Sequence, residues 1–336
     1  MKKCSFIAIW LVIFFVWSFS ATSQPLLDLP DFLKIAGGSQ IRYRFDALKS
    51  PVGSTHDASR INYSYYRLKD SLGRKEVVPF DVLPEVKELY DLGWEAIELE
   101  EPDTALAIFE EAITMDPNFS PAYTGKGYTL NLLGKPFDAI EACSVATAHN
   151  PIDYIAYWTA ATAWDKLNNP DSALDAICHA WILNRNHPEI IRDVKRFAEK
   201  GGMVLDNWVF TPQYSVLLNE GEVVVSYWKP WMGYAVCKAV WQYEPGFVPG
   251  RNIKGDEDYF RERECLSCLL TSMNTFQKEA NADPGLNGFK AAMGNKMASE
   301  FILFEIFLPE MPDMAYYLDP RRIASVKQYI LSMKLK

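Results

Sequence analysis

Histidine is scarce: the 336 residues include only His56, His149, His179 and His187, and none follows His187. The C-terminal third therefore has no Ser–His or Cys–His catalytic pair, no histidine-bound zinc and no Glu-x-x-His di-iron bundle. The motifs G-x-S-x-G, H-E-x-x-H and G-x-x-x-x-G-K-[ST] are also missing; Gly134-Lys-Pro136 lacks the hydroxyl that binds magnesium. No catalytic residue, metal ligand or cofactor is assigned on this basis. Basic residues are in deficit, 34 against 43 acidic, giving a net charge of -9 that falls two units further if Lys2 and Lys3 are lost with a leader. Such a chain is not expected to neutralise phosphates, so nucleic acid is not an expected partner. Beyond Cys4 there are five cysteines, an odd number too small for a disulfide scaffold. Long apolar runs are confined to the N-terminus, where Lys2-Lys3, the stretch Phe6 to Trp17 and the small residues Ala21 and Ser23 form a secretory leader. The run is short of the roughly 20 residues of a membrane span, so we expect cleavage after Ser23, no span in the mature chain, and a periplasmic or secreted location.

What the chain does have is an internal period. Ala105, Ala139 and Ala173 stand 34 residues apart, and Phe109, Cys143 and Ile177 follow in register, as do Ala112, Ala146 and Ala180. Asp116-Pro117 recurs as Asn150-Pro151, while Gly93, Gly127 and Ala161 keep the same step upstream. A period over so many positions outranks any single-helix reading. Physically it is a pair of helices: small residues let the two approach, the Phe109 series fills their contact, and the proline stops the second helix. One such pair cannot bury its apolar face alone, so neighbours must stack.

These residues resemble the tetratricopeptide repeat, with Leu92, Gly93, Ala105, Phe109, Ala112 and Pro117 in the first unit and their equivalents in the next two. The resemblance implies a mainly α fold: an α-solenoid of three helix pairs over residues 85–200, whose last helix, Pro188 to Lys200, is a cap. The third unit departs from the pattern, with Arg185 where proline is expected. In this family the first helix of each unit lines a concave groove for a protein or peptide partner. Carried onto this chain, the partner-binding residues are Tyr90, Trp94, Ile97, Tyr128, Asn131, Trp158 and Asp165, within a wider set that includes Glu98, Leu132 and Lys166. The alternative is that these rings pack on other parts of the same chain. The clamp that holds chaperone C-termini is excluded, because Tyr90, Trp94, Gly125, Ile155 and Thr159 stand at its places. From Glu85 to Phe119 eleven carboxylates face Lys87 alone, a solvated face or an attraction for a basic partner.

Residues 24–84 read as an extension that packs on the first repeat, and residues 201–336 as a mainly helical domain of unknown type with a small β-hairpin at Tyr214 to Trp228. Helices are expected from Trp231 to Tyr243, Asp256 to Asn281, Asn287 to Leu308 and Pro320 to Met333. Cys265-Leu-Ser-Cys268 is read as core filling, with pairing to Cys237 the rival. Glu305, among apolar neighbours, is read as a structural ion pair with Arg321 or Arg322, or else as a general acid. The two functional readings are accordingly an exported binding scaffold, and an enzyme using carboxylates such as Glu305 and Glu244 with the repeats recruiting substrate.

Overall fold

Proline stands in the first turn of six of the seven helices of the repeat region, its fixed φ suiting that place, and the seventh, which begins at Tyr154, is capped by Asp153 instead. The structure, a computed structural model, describes residues 25–53, 65–71, 74–206, 208–251, 253 and 256–336. The expected leader, its cleavage site and His56 lie outside the described residues. The repeat helices are α2 (Pro84–Glu98), α3 (Pro102–Met115), α4 (Ser120–Leu132), α5 (Pro136–His149), α6 (Tyr154–Lys166), α7 (Pro170–Leu183) and α8 (Pro188–Lys200). They form three antiparallel pairs and a closing helix, and the period is visible in the backbone. Glu100, Gly134 and Asn168, one in each turn between paired helices, adopt φ of 61°, 70° and 53°.

The small residues act as the period implies. A Cβ on Gly93 would lie 2.7 Å from the Phe109 ring, and one on Gly125 2.3 Å from it, so that ring seats in a slot between α2 and α4. A Cβ on Gly127 would meet the Cys143 sulfur at 2.7 Å, which repeats the arrangement one unit on.

The segment expected to pack on the first repeat divides in two. Its first part, α1 (Leu29–Gly38) and β1 (Arg42–Ala47), joins the C-terminal region. There β4 (Tyr214–Asn219) and β5 (Glu222–Tyr227) form the expected hairpin, turning through Glu220 and Gly221, both with positive φ as a type I′ turn requires. β1 adds in parallel to the free side of β5, with Phe45 opposite Val225, and the sheet order is β1-β5-β4. α1 packs against α9 (Met232–Tyr243) and α11 (Glu257–Thr275), burying Phe32. The second part, β2 (Tyr66–Ser71) paired with β3 (Arg74–Pro79), stays with the repeats, where Asn150 donates from Nδ2 to the Tyr66 carbonyl at 2.7 Å.

The remaining elements are α10 (Phe247–Gly250), α12 (Gln277–Asn281), α13 (Pro284–Gly294), α14 (Ala298–Phe301), α15 (Leu308–Glu310) and α16 (Pro320–Tyr329), with 3-10 turns at Lys229–Trp231 and Pro312–Tyr317 and π-helical turns at Ile302–Phe307 and Ile330–Lys334. Two expected long helices are therefore broken, one at Phe276 and one between Gly294 and Ala298, where Lys296 has φ 61°.

One apolar core runs from α6 and α7 into this region, with Trp181 edge-on to Phe304 at 5.0 Å. Glu305 does form an ion pair, but with partners other than those expected: Arg185 Nη2 at 3.3 Å and Lys334 Nζ at 3.0 Å, plus the Tyr329 hydroxyl at 3.0 Å. Arg321 and Arg322 instead turn their backbone amides to the Asp319 cap. All five described cysteines are buried and free; Cys265 donates to the Cys237 sulfur at 2.9 Å.

Candidate functional site

The first helices of the pairs, α2, α4 and α6, lie side by side with α8 beyond them, and their exposed faces form a groove of about 1030 Å³. Its floor is set by residues buried between helices. Thr124 donates to Asp153 Oδ2 at 2.6 Å, and Asp153 Oδ1 caps the α6 amides of Ile155 and Ala156. Asn131 donates from Nδ2 to the Thr159 carbonyl at 2.8 Å, tying α4 to α6.

Of the residues assigned from the sequence, Tyr90, Trp94, Tyr128, Asn131 and Trp158 line this groove, whereas Ile97 and Asp165 do not. Tyr90 is 7% exposed and packs on Tyr65 and Phe119 at 6.1 and 5.5 Å, so most of its ring is used inside the chain. Trp94 and Tyr128 meet at 5.4 Å between centroids, and Tyr128 is the more open of the two. Trp158 donates from Nε1 to Asp193 Oδ2 at 2.7 Å, which fixes the indole against α8. Ile97 packs into the core of the first pair. Asp165 holds Lys200 at 2.6 Å and Arg196 at 3.7 Å.

The wall supplied by α8 was not assigned from the sequence. Arg192 and Arg196 line the groove, paired respectively with Glu189 and with Asp193. A signal for them exists, because Trp158, Thr162 and Lys166 plus one 34-residue step give Arg192, Arg196 and Lys200. Missing proline at Arg185 hid that fourth unit. His187, also on the lining, is held by burial below its ordinary pKa, against the pull of Glu189.

Elsewhere several buried titratable groups are engaged in structure. Burial lowers Lys334 to about 8 despite its Glu305 partner, and raises the Cys178 thiol to about 12, far from a reactive thiolate. Tyr43 donates to Glu244 Oε2 at 3.0 Å. Among the described residues no group of three or more His, Cys, Asp or Glu side chains is arranged to hold a metal ion, and no helix is long and apolar enough to cross a membrane.

The tetratricopeptide repeat family model matches residues 108–141, from the middle of α3 into the first half of α5. No curated protein matches the chain. Solved structures similar to part of it include the first TPR domain of human RPAP3, at 19% identity over 35% of this chain and 93% of that one with a TM-score of 0.34. The TPR domain of Arabidopsis OM64 is 19% identical over 34% of this chain and 94% of that one, with a TM-score of 0.33. The TPR2B domain of yeast Sti1, in complex with pHsp70, is 22% identical over 34% and 98%, with a TM-score of 0.33. The chain thus carries a tetratricopeptide repeat, and the family match does not extend into residues 201–336.

Proposed function

We propose that this protein is a non-enzymatic scaffold that holds a peptide or protein segment in the groove of α2, α4, α6 and α8. Tetratricopeptide repeats serve as protein-interaction scaffolds, which supports the class of activity. The observation that carries the reading is the groove itself: half-buried Trp94 and Trp158 and the open Tyr128 stand beside polar groups, the mixture of rigid anchors and hydrogen-bonding neighbours found at contact surfaces. Tyr90, Trp94, Tyr128, Asn131 and Trp158 make this surface, with Ile97 packed in the core of the first pair and Asp165 holding Arg196 of the lining and Lys200. Residues 85–200 act as the binding domain and residues 201–336 as a base that shares its core. Lys2-Lys3 and the apolar stretch to Trp17 favour export to a periplasmic or extracellular location. The enzyme alternative is weakened because Glu305 already accepts from three donors and Glu244 from Tyr43.

Capture of native partners from the exported fraction should be lost in Trp94→Ala and Trp158→Ala. Each tryptophan also packs within the chain, so Leu132→Asp, at a position 52% exposed, serves as a variant with the fold preserved. Undiminished capture by Leu132→Asp, with thermal unfolding matching the parent, would place the contact surface elsewhere.

A further inference from the structure

Glu98, Leu132 and Lys166 stand at the same place in three successive units, separated by 34 residues each time. All three line the groove and all three are exposed. Because α2 packs on α4 and α4 on α6, the three side chains form a row across the groove, one from each helix: an acid, an aliphatic residue and a base. Packed helices lie about 8–10 Å apart, and an extended chain advances about 3.3 Å per residue, so about three residues of a bound strand match one step of the row.

We infer that this row selects the partner: an extended segment with a cationic side chain at Glu98, an aliphatic one at Leu132 and a carboxylate at Lys166, spaced about three residues apart. The inference rests on the groove being the binding surface, as proposed above, and adds the chemistry of what binds. Other charges of the groove are already used within the chain, Arg192 by Glu189 and Arg196 by Asp193. Glu98 has no ion-pair partner among the described residues, and the eleven carboxylates from Glu85 to Phe119 reinforce a cation preference at that end. Lys166 donates to the Asn131 carbonyl and keeps two further N–H donors for an incoming carboxylate. One turn before Glu98, the ring of Trp94 offers a surface for the stem of a bound lysine or arginine.

The test uses synthetic peptides with blocked ends, identical except at the positions three residues before and after a central leucine. Two carry one lysine and one glutamate, in either order; one carries lysine at both places and one glutamate at both. By fluorescence anisotropy the parent protein is expected to bind one of the mixed peptides about fivefold more tightly than either like-charged peptide, the range open to exposed ion pairs. Glu98→Lys is expected to transfer the preference to the doubly acidic peptide, and Lys166→Glu to the doubly basic one. Equal affinity of the parent for all four, or an unchanged preference in both variants, overturns the row. So does the absence of measurable binding by either mixed peptide at millimolar concentration. Binding that shows the expected charge preference but is indifferent to Leu132→Asp also overturns it, since the aliphatic step then plays no part. Failure of the groove itself is read separately, from partner capture by Leu132→Asp.

Discussion

Arg185 occupies the position at which the first two units carry Pro117 and Pro151, and its surroundings explain the departure. The guanidinium lies 4.9 Å from the Trp181 ring and 4.2 Å from that of Phe304, donates to the Phe304 carbonyl, and pairs with Glu305. A proline would leave the C-terminal region without this anchor. Glu305→Gln strands Arg185 as a buried cation and takes from Lys334 the partner that holds its charge, and is expected to lower unfolding stability by about 3–5 kcal/mol in urea titrations. A loss below 1 kcal/mol would mean that the cluster is not what joins the two regions. His179 gives a second residue-level prediction. It stacks on Tyr157 at 3.7 Å, and burial, followed by Lys327, lowers its pKa to about 3. Between pH 6.5 and 3 the unfolded chain takes up a proton that the folded chain does not, so stability falls as pH falls, by at most about 1.4 kcal/mol per unit from this group. His179→Phe keeps the stacking and should flatten the decline in stability measured between pH 6 and 4.5; an unchanged slope would assign the acid sensitivity to other groups.

At the scale of elements, the turns between paired helices share a left-handed residue, and only Gly134 and Asn168 suit it. Glu100 bears a Cβ at φ 61°, so Glu100→Gly should raise the melting temperature, by about 0.5–1 kcal/mol in stability. A lower melting temperature would show that the strain is relieved by contacts of the glutamate. The helix pairs were legible from the chain because their signals are local and steric: an alanine or glycine where backbones touch, an aromatic where they do not, a proline at each stop. β1 was not legible, since Arg42 to Ala47 finds its partner strand some 180 positions away and most of its side chains remain exposed, leaving a weak alternation. The groove shows the same division. Tyr90, Trp94, Tyr128 and Trp158 followed from their place in the period, but the distinction between Tyr90, turned into the Tyr65 and Phe119 cluster, and Tyr128, turned outward, depends on a strand pair that the period does not contain.

Over the whole molecule, one continuous core joins the last repeats to the C-terminal region, so the two should unfold together. The five described cysteines lie inside that structure, with Cys237 and Cys265 in contact yet reduced. Thiol titration of unfolded protein prepared without reductant should find all five described cysteines as free thiols, and only three free among them would mean that Cys237 has been oxidised with a neighbour. The central claim is that the concave face, and not the opposite one, holds the partner. Its most direct measurement places a photo-crosslinking amino acid either at Leu132, on the groove, or at Phe137, which is 71% exposed at the start of α5 and absent from the groove lining, and compares the adducts formed in the native compartment. Adducts from position 132 that disappear in Trp94→Ala, with none from position 137, are the predicted result. Equal adducts from both positions, or adducts from position 137 alone, would contradict the account.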